Sequence, residues 1–320
     1  MSYIQTVTGP LSPEAAGFCQ CHEHLMISKG VSYTHNKNLY MADFQKTLQE
    51  LEIFASAGGS TVVDAQPVGC NRMGQQLLQL GAESRVHIVA STGFHKMMFY
   101  PAEHWIFHYT EKQLSEVFIH EAEKGMYINC DDKFPKEWIP ARVGMIKCAL
   151  DSCNLNDQYQ KLFQAACNAA KASGLSLMVH IENGADPLAL AQFLAAQGLD
   201  LSRVIFCHMD RACSDIAIHK ALCHQGIYME YDTIGRFKYH DDEKEAAIFS
   251  ELIEAGCEDR LLFSLDTTRE RLKSYNPDGV GLSYIINTFI PTLKSFGVAD
   301  PQIKKIAYEN SHRVLTIKDS

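Results

Sequence analysis

Short apolar, β-branched runs recur along this chain, mostly separated by stretches of helical periodicity. That alternation restricts the fold more than any other feature. Cys19–His24, Ser60–Asp64, Val86–Ala90, Val143–Ala149, Leu175–Ile181, Arg203–His208, Gly226–Asp232 and Arg260–Asp266 read as strands. Helices are predicted over Ala42–Ala57, ended by Gly58-Gly59, and over Met73–Leu80, with Gly81 just past its end. Others are predicted over Asp157–Ala172, Pro187–Ala196, Ile216–His224 and Glu243–Ala255. Strands alternating with helices favour parallel pairing under a helical cover. Eight of them in 320 residues favour a closed (β/α)8 barrel over an open doubly wound sheet. No G-x-G-x-x-G follows an early strand, which weakens a dinucleotide-binding reading. Without a composition break or low-complexity linker, residues 1–320 are expected to form a single domain. The least regular region, Thr92–Pro140, is an extended loop after the third strand, aromatic around Met97–His108, with a helix near Gln113–Glu123. It reads either as a substrate lid or wall, or as an aromatic satellite core.

A formal net charge of -9 disfavours nucleic acid or an anionic membrane as partner. A small anionic substrate remains compatible if cations cluster locally. The 11 cysteines are odd in number and scattered, and Cys148 and Cys207 lie inside apolar strands. This pattern predicts reduced, buried thiols in a cytosolic protein. The first residues show no basic segment leading into an apolar one, and no apolar run is of membrane length. A cytoplasmic location is the expectation.

Barrel enzymes carry their chemistry at the C-terminal ends of the strands. There the chain places His22 and His24, then Lys147, His180, His208 and Asp266. Side chains alternate along a strand, so His22 and His24 share a face and Glu23 takes the other. Two neutral imidazoles can grip a divalent metal, or form a hydrogen-bonded structural pair. Lys147 is unusual, because an ammonium in an apolar strand must be paired or lose its proton. Either it pairs with a barrel carboxylate such as Asp64 or Asp266, or its neutral amine takes up carbon dioxide and becomes a bridging carbamate.

These motifs resemble the phosphotriesterase family of the amidohydrolase superfamily over nearly the whole length. The resemblance rests on Gly17-Phe18, Cys21-His22-Glu23-His24, Thr92-Gly93-Phe94, Ile146-Lys147, Val179-His180, Cys207-His208, Ser264-Leu265-Asp266 and Glu309-Asn310 with Arg313. It implies a distorted barrel holding two divalent ions, zinc by family habit, in a homodimer. By position, His22, His24 and Asp266 would bind the buried ion, and His180 and His208 the exposed one. Carboxylated Lys147 and a hydroxide would bridge the two. The implied chemistry is hydrolysis by direct attack of that hydroxide, with Asp266 moving the proton.

The segments Asp232–Tyr239 and Asp266–Arg269 resemble the branch that hydrolyses phosphorylated furanose lactones. In that branch a Lys after strand seven and an Arg after strand eight hold the phosphate, positions filled here by Lys238 and Arg269. An ammonium and a planar guanidinium suit phosphate oxygens. A tyrosine that completes the phosphate site in that branch aligns with Leu272, and Tyr275 lies nearby. Alternatives are a hydrolase of an unphosphorylated lactone, another ester, an amide or a phosphotriester, and a non-catalytic metal-binding barrel with a regulatory role.

Overall fold

The structure is a computed structural model that describes residues 2–318. Eight strands follow one another in a parallel sheet. They are β1 (Phe18–Glu23), β2 (Gly59–Asp64), β3 (His87–Gly93), β4 (Met145–Leu150), β5 (Ser176–Ile181), β6 (Val204–Cys207), β7 (Tyr228–Tyr231) and β8 (Leu261–Phe263). The cover includes α1 (Phe44–Ser56), α2 (Gly74–Glu83), α3 (Glu111–Glu123), α4 (Asp157–Ser173), α5 (Pro187–Ala196), α6 (Ile216–His224) and α7 (Asp242–Glu254). Most start where the sequence supplies an acceptor. Asp43, Asn156, Asp186, Asp215 and Asp241 each cap a helix by accepting a backbone N–H.

Period-two alternation builds two apolar layers from the same strands. Inward-facing Val63, Val89, Met145, Met178, Ile205 and Leu262 fill the barrel. Outward-facing Val62, Ile88, Ile146, Val179, Phe206 and Phe263 join the larger core under the helices. The sheet's end strands, β1 and β8, meet at a seam stitched largely by side chains. Glu23 accepts hydrogen bonds from the backbone of Leu265 at 2.8 Å and Thr267 at 3.0 Å, and Ser264 Oγ accepts from His22 N at 2.9 Å. One backbone bond, Asp266 N to His22 O at 3.1 Å, adds to these. The barrel is therefore nearly closed, and the closure lies directly beneath the His-x-His motif.

Two local expectations are corrected. Helix α2 does not end before Gly81 but runs on to Glu83. A Cβ at Gly81 would press on Val7, so this glycine serves close packing rather than termination. The region after β3 is also more ordered than a loop. It holds α3, opened by a Thr110–Gln113 capping box, and a hairpin of Met126–Ile128 with Glu137–Ile139. Phe94, Trp105, Leu114 and Phe118 sink into the main core, whereas His95, Lys96 and Phe99 turn toward the barrel mouth. The aromatic part of this region thus joins the main core, while the stretch 95–99 borders the barrel mouth. Among the described residues no helix is long and apolar enough to cross a membrane, and all 11 cysteines are free.

Candidate active site

The strand ends bring the predicted ligands to one point. His22 and His24 present their Nε2 atoms to Asp266 Oδ1 at 3.8 and 3.5 Å. Lys147 Nζ lies 3.1 Å from His22 Nε2. His208 Nε2 faces His180 Nδ1 at 2.7 Å. Lys147 is fully buried and pairs with no carboxylate among the described residues, so neither Asp64 nor Asp266 serves as its counter-ion. Gly93, at φ +100°, lets β3 pass against this lysine, because a Cβ there would collide with the Lys147 carbonyl oxygen.

Burial leaves these imidazoles in the form a metal needs. Desolvation, helped by the Lys147 charge, lowers His22 to about 4. Burial likewise lowers His180 to about 3 and holds His208 well below its ordinary value. Asp266 runs the other way. Burial alone would raise it, but the Arg236 charge and a hydrogen bond with His24 outweigh that and hold it well below the carboxylate range. Three neutral rings and an ionised carboxylate converging on one point form a donor set that fits divalent ions. His22, His24 and Asp266 place their donor atoms within 4.8 Å of one another.

Asp232, just past β7, has no assigned role in the sequence beyond ending a strand and opening the Asp232–Tyr239 segment. Its two oxygens meet His22 Nδ1 at 2.9 Å and His208 Nδ1 at 2.6 Å. It thereby fixes both rings with Nε2 directed inward, the orienting role that carboxylates commonly play behind metal-binding histidines. His208 and Asp266 also hold left-handed backbone, φ 62° and 47°. Strain of this kind at non-glycine residues clusters at functional sites.

Above these groups lies a cavity of about 220 Å³, walled by His95, Lys96, Glu182, Arg211, Arg236 and Tyr239 among others. Arg236 Nη2 sits 3.1 Å from Asp266 Oδ2. Glu182 gathers Lys96 at 2.6 Å, His180 at 3.2 Å and Arg211 at 3.3 Å. Sequence reasoning missed this wall. Its members follow strands at irregular distances, and the one available signal was an excess of cations just past strands six and seven.

Lys238 and Arg269 lie outside that cavity. Both are exposed, although their neighbours Tyr239 and Thr268 line it. Lys238 Nζ rests 4.9 Å over the Tyr239 ring. Arg269 borders a separate, larger cavity with Asp43, Lys46 and Tyr275, where no cluster of metal-ligating groups occurs among the described residues. Leu272 is core, and the Tyr275 hydroxyl is bound to Asp43 O at 2.7 Å and Thr47 Oγ1 at 2.8 Å.

Comparison with known proteins agrees with this geometry. Residues 2–315 match the Phosphotriesterase family. An N-acetyltaurine hydrolase of Dictyostelium discoideum is 31% identical across 90% of this chain and 78% of its own length. A phospho-furanose lactonase of Mycoplasmopsis agalactiae is 25% identical across 99% of this chain and 92% of its own. The crystal structure of the lactonase Lmo2620 from Listeria monocytogenes superposes with a TM-score of 0.90 at 26% identity, covering 99% of this chain and 100% of that one. An amidohydrolase from Mycoplasma synoviae gives 0.95 at 23% identity, covering 100% and 93%, and shares the fold. The chain is a member of the phosphotriesterase family, a metal-dependent hydrolase on a (β/α)8 barrel.

Proposed function

We propose that the chain is a lactonase that opens a phosphorylated furanose lactone at a binuclear centre. One observation supports it above others: the convergent donors His22, His24, Lys147, His180, His208 and Asp266 lie at the floor of a small cavity with cations in its wall. His22, His24 and Asp266 would hold one divalent ion, and His180 and His208 the other. Lys147, once carboxylated by carbon dioxide with loss of a proton, would supply a further carboxylate ligand. When bound, the ions, zinc in this reading, supply a deprotonated water at neutral pH and polarise the lactone carbonyl.

The chain's own residues do the rest. Asp232 keeps the His22 and His208 rings turned inward. Asp266, held ionised by Arg236, would take the remaining proton of the attacking hydroxide and deliver it to the departing ring oxygen. Arg211 and Lys96, both tied to Glu182, receive the anionic end of the substrate. Lys238 and Arg269, exposed next to the cavity-lining Tyr239 and Thr268, would contribute at longer range. The protein acts on a small molecule in the cytoplasm, as a homodimer.

A second reading is favoured by the 31% identical relative: hydrolysis of a small acylated aminosulfonate, in which a sulfonate replaces the phosphate. The test is a panel of phosphorylated furanose lactones, their unphosphorylated analogues and N-acetyltaurine, offered to zinc-replete protein. The proposal expects the highest kcat/KM on a phosphorylated lactone. Preference for N-acetyltaurine would establish the second reading, and preference for neutral lactones would sink both.

A further inference from the structure

Behind the loop that follows β7 lies a second cluster of metal-ligating groups with no part in the chemistry above. It consists of Asp210, just past β6, His240 on the loop, and Glu245 in the first turn of α7. One donor atom from each lies within 4.8 Å of the others. Its polar atoms are only partly satisfied by the protein itself. Glu245 is fully buried, and its Oε1, like the buried Oδ1 of Asp210, has no hydrogen-bond donor. The remaining Asp210 oxygen accepts from Thr233 N at 2.6 Å. His240 Nε2 lies 3.0 Å from Glu245 Oε2 and also 3.0 Å from Thr233 Oγ1. Among the described residues no lysine or arginine pairs with either carboxylate, and nearby Arg211 is directed to Glu182 instead.

A single imidazole can answer only one of the two carboxylates, which leaves Asp210 Oδ1 and Glu245 Oε1 buried without a donor, a costly arrangement. A hydrogen-bonded structural cluster would have satisfied those oxygens. We propose that Asp210, His240 and Glu245 form a further cation site that takes a divalent transition ion such as Zn2+ or Mn2+. The mixed nitrogen and oxygen donor set suits such ions better than Ca2+ or Mg2+, which favour oxygen alone. The site is structural. It joins β6, the β7 loop and α7, and so fixes the segment that carries Arg236 and Tyr239 over the cavity.

Metal content decides the matter, with no need of a substrate. Wild type, Glu245→Gln and His240→Gln would be stripped, reloaded with excess Zn2+, passed through gel filtration and analysed for zinc per chain. A His22→Asn, His24→Asn double variant serves as a control that disturbs only the barrel ligands. Both single variants should hold about one ion fewer than wild type, while the double variant keeps the ion they lose. Equal zinc in wild type and either folded single variant overturns the proposal, the cluster then being held by shared protons. His240→Gln, a loop substitution, keeps the test decisive should Glu245→Gln fail to fold. Failure of the barrel centre would show separately, as unchanged zinc in the double variant.

Discussion

Asp232 illustrates how much of the site depends on a residue that touches no substrate. Its two oxygens orient His22 and His208 at once, so Asp232→Asn offers an amide where two ring N–H groups need acceptors. Losing such an orienting carboxylate typically weakens metal binding by about 10- to 100-fold, and zinc titration of the variant should show a drop of that order. Lys147 gives a sharper prediction. Lys147→Ala should lose metal and activity together, with partial recovery in short-chain carboxylates. Lys147→Arg should not recover, since a guanidinium stays charged and forms no carbamate. Wild-type turnover in Lys147→Arg would refute the bridging role. At the cavity wall, Arg211→Met should cut kcat/KM on a phosphorylated lactone by roughly 10- to 100-fold, the worth of one charged hydrogen bond, and spare the unphosphorylated analogue. At this scale the sequence revealed donors that end strands, such as His180 and Asp266, because strand periodicity fixes where they point. Glu182, Arg211 and Arg236 escaped notice because loop residues have no period, and only the folded chain brings them together.

Elements were read more completely than residues. All eight strands were foreseen, though β8 stops at Phe263 rather than at Asp266. Its last residues leave the sheet to meet Glu23, a tertiary demand with no local signature. The conserving geometry of Gly81 was equally hidden, since nothing in its neighbourhood reveals that Val7 packs there. The motif residues Gly17 and Asn310 have structural work. His312 Nε2 donates to Gly17 O at 2.7 Å, and Asn310 Nδ2 reaches Glu258 O and Leu261 O at 2.8 and 2.9 Å, tying the C-terminal helices under the barrel. The seam yields a stability prediction. Glu23→Leu would orphan the buried N–H groups of Leu265 and Thr267, each costing about 1–3 kcal/mol. Urea denaturation should show a loss in that range for each donor; a variant as stable as wild type would mean that the barrel closes by other means.

Across the whole molecule, the buried histidines couple the fold to pH and to metal. Their rings are harder to protonate in the folded chain than in the unfolded one, where 6.5 is the ordinary value; His22 falls to about 4 and His180 to about 3. The unfolded chain therefore binds more protons as pH drops, and this stabilisation is complete above about 6.5 and lost progressively toward 4. Glu23 and Glu230, pushed up by burial to about 8, act in the opposite sense and weaken the fold as pH rises toward that value. Comparing metal-free wild type with His180→Asn isolates one histidine. The variant's Tm should fall less than that of wild type between pH 7 and pH 5. The central claim is that hydrolysis depends on metal held by these strand-end groups. It is tested most directly by the rate of phosphorylated-lactone opening before chelation, after it, and after zinc is restored. Stripped protein should be inactive, and zinc should return the rate in wild type but not in Lys147→Arg. A stripped enzyme that hydrolyses the lactone at its original rate would contradict it.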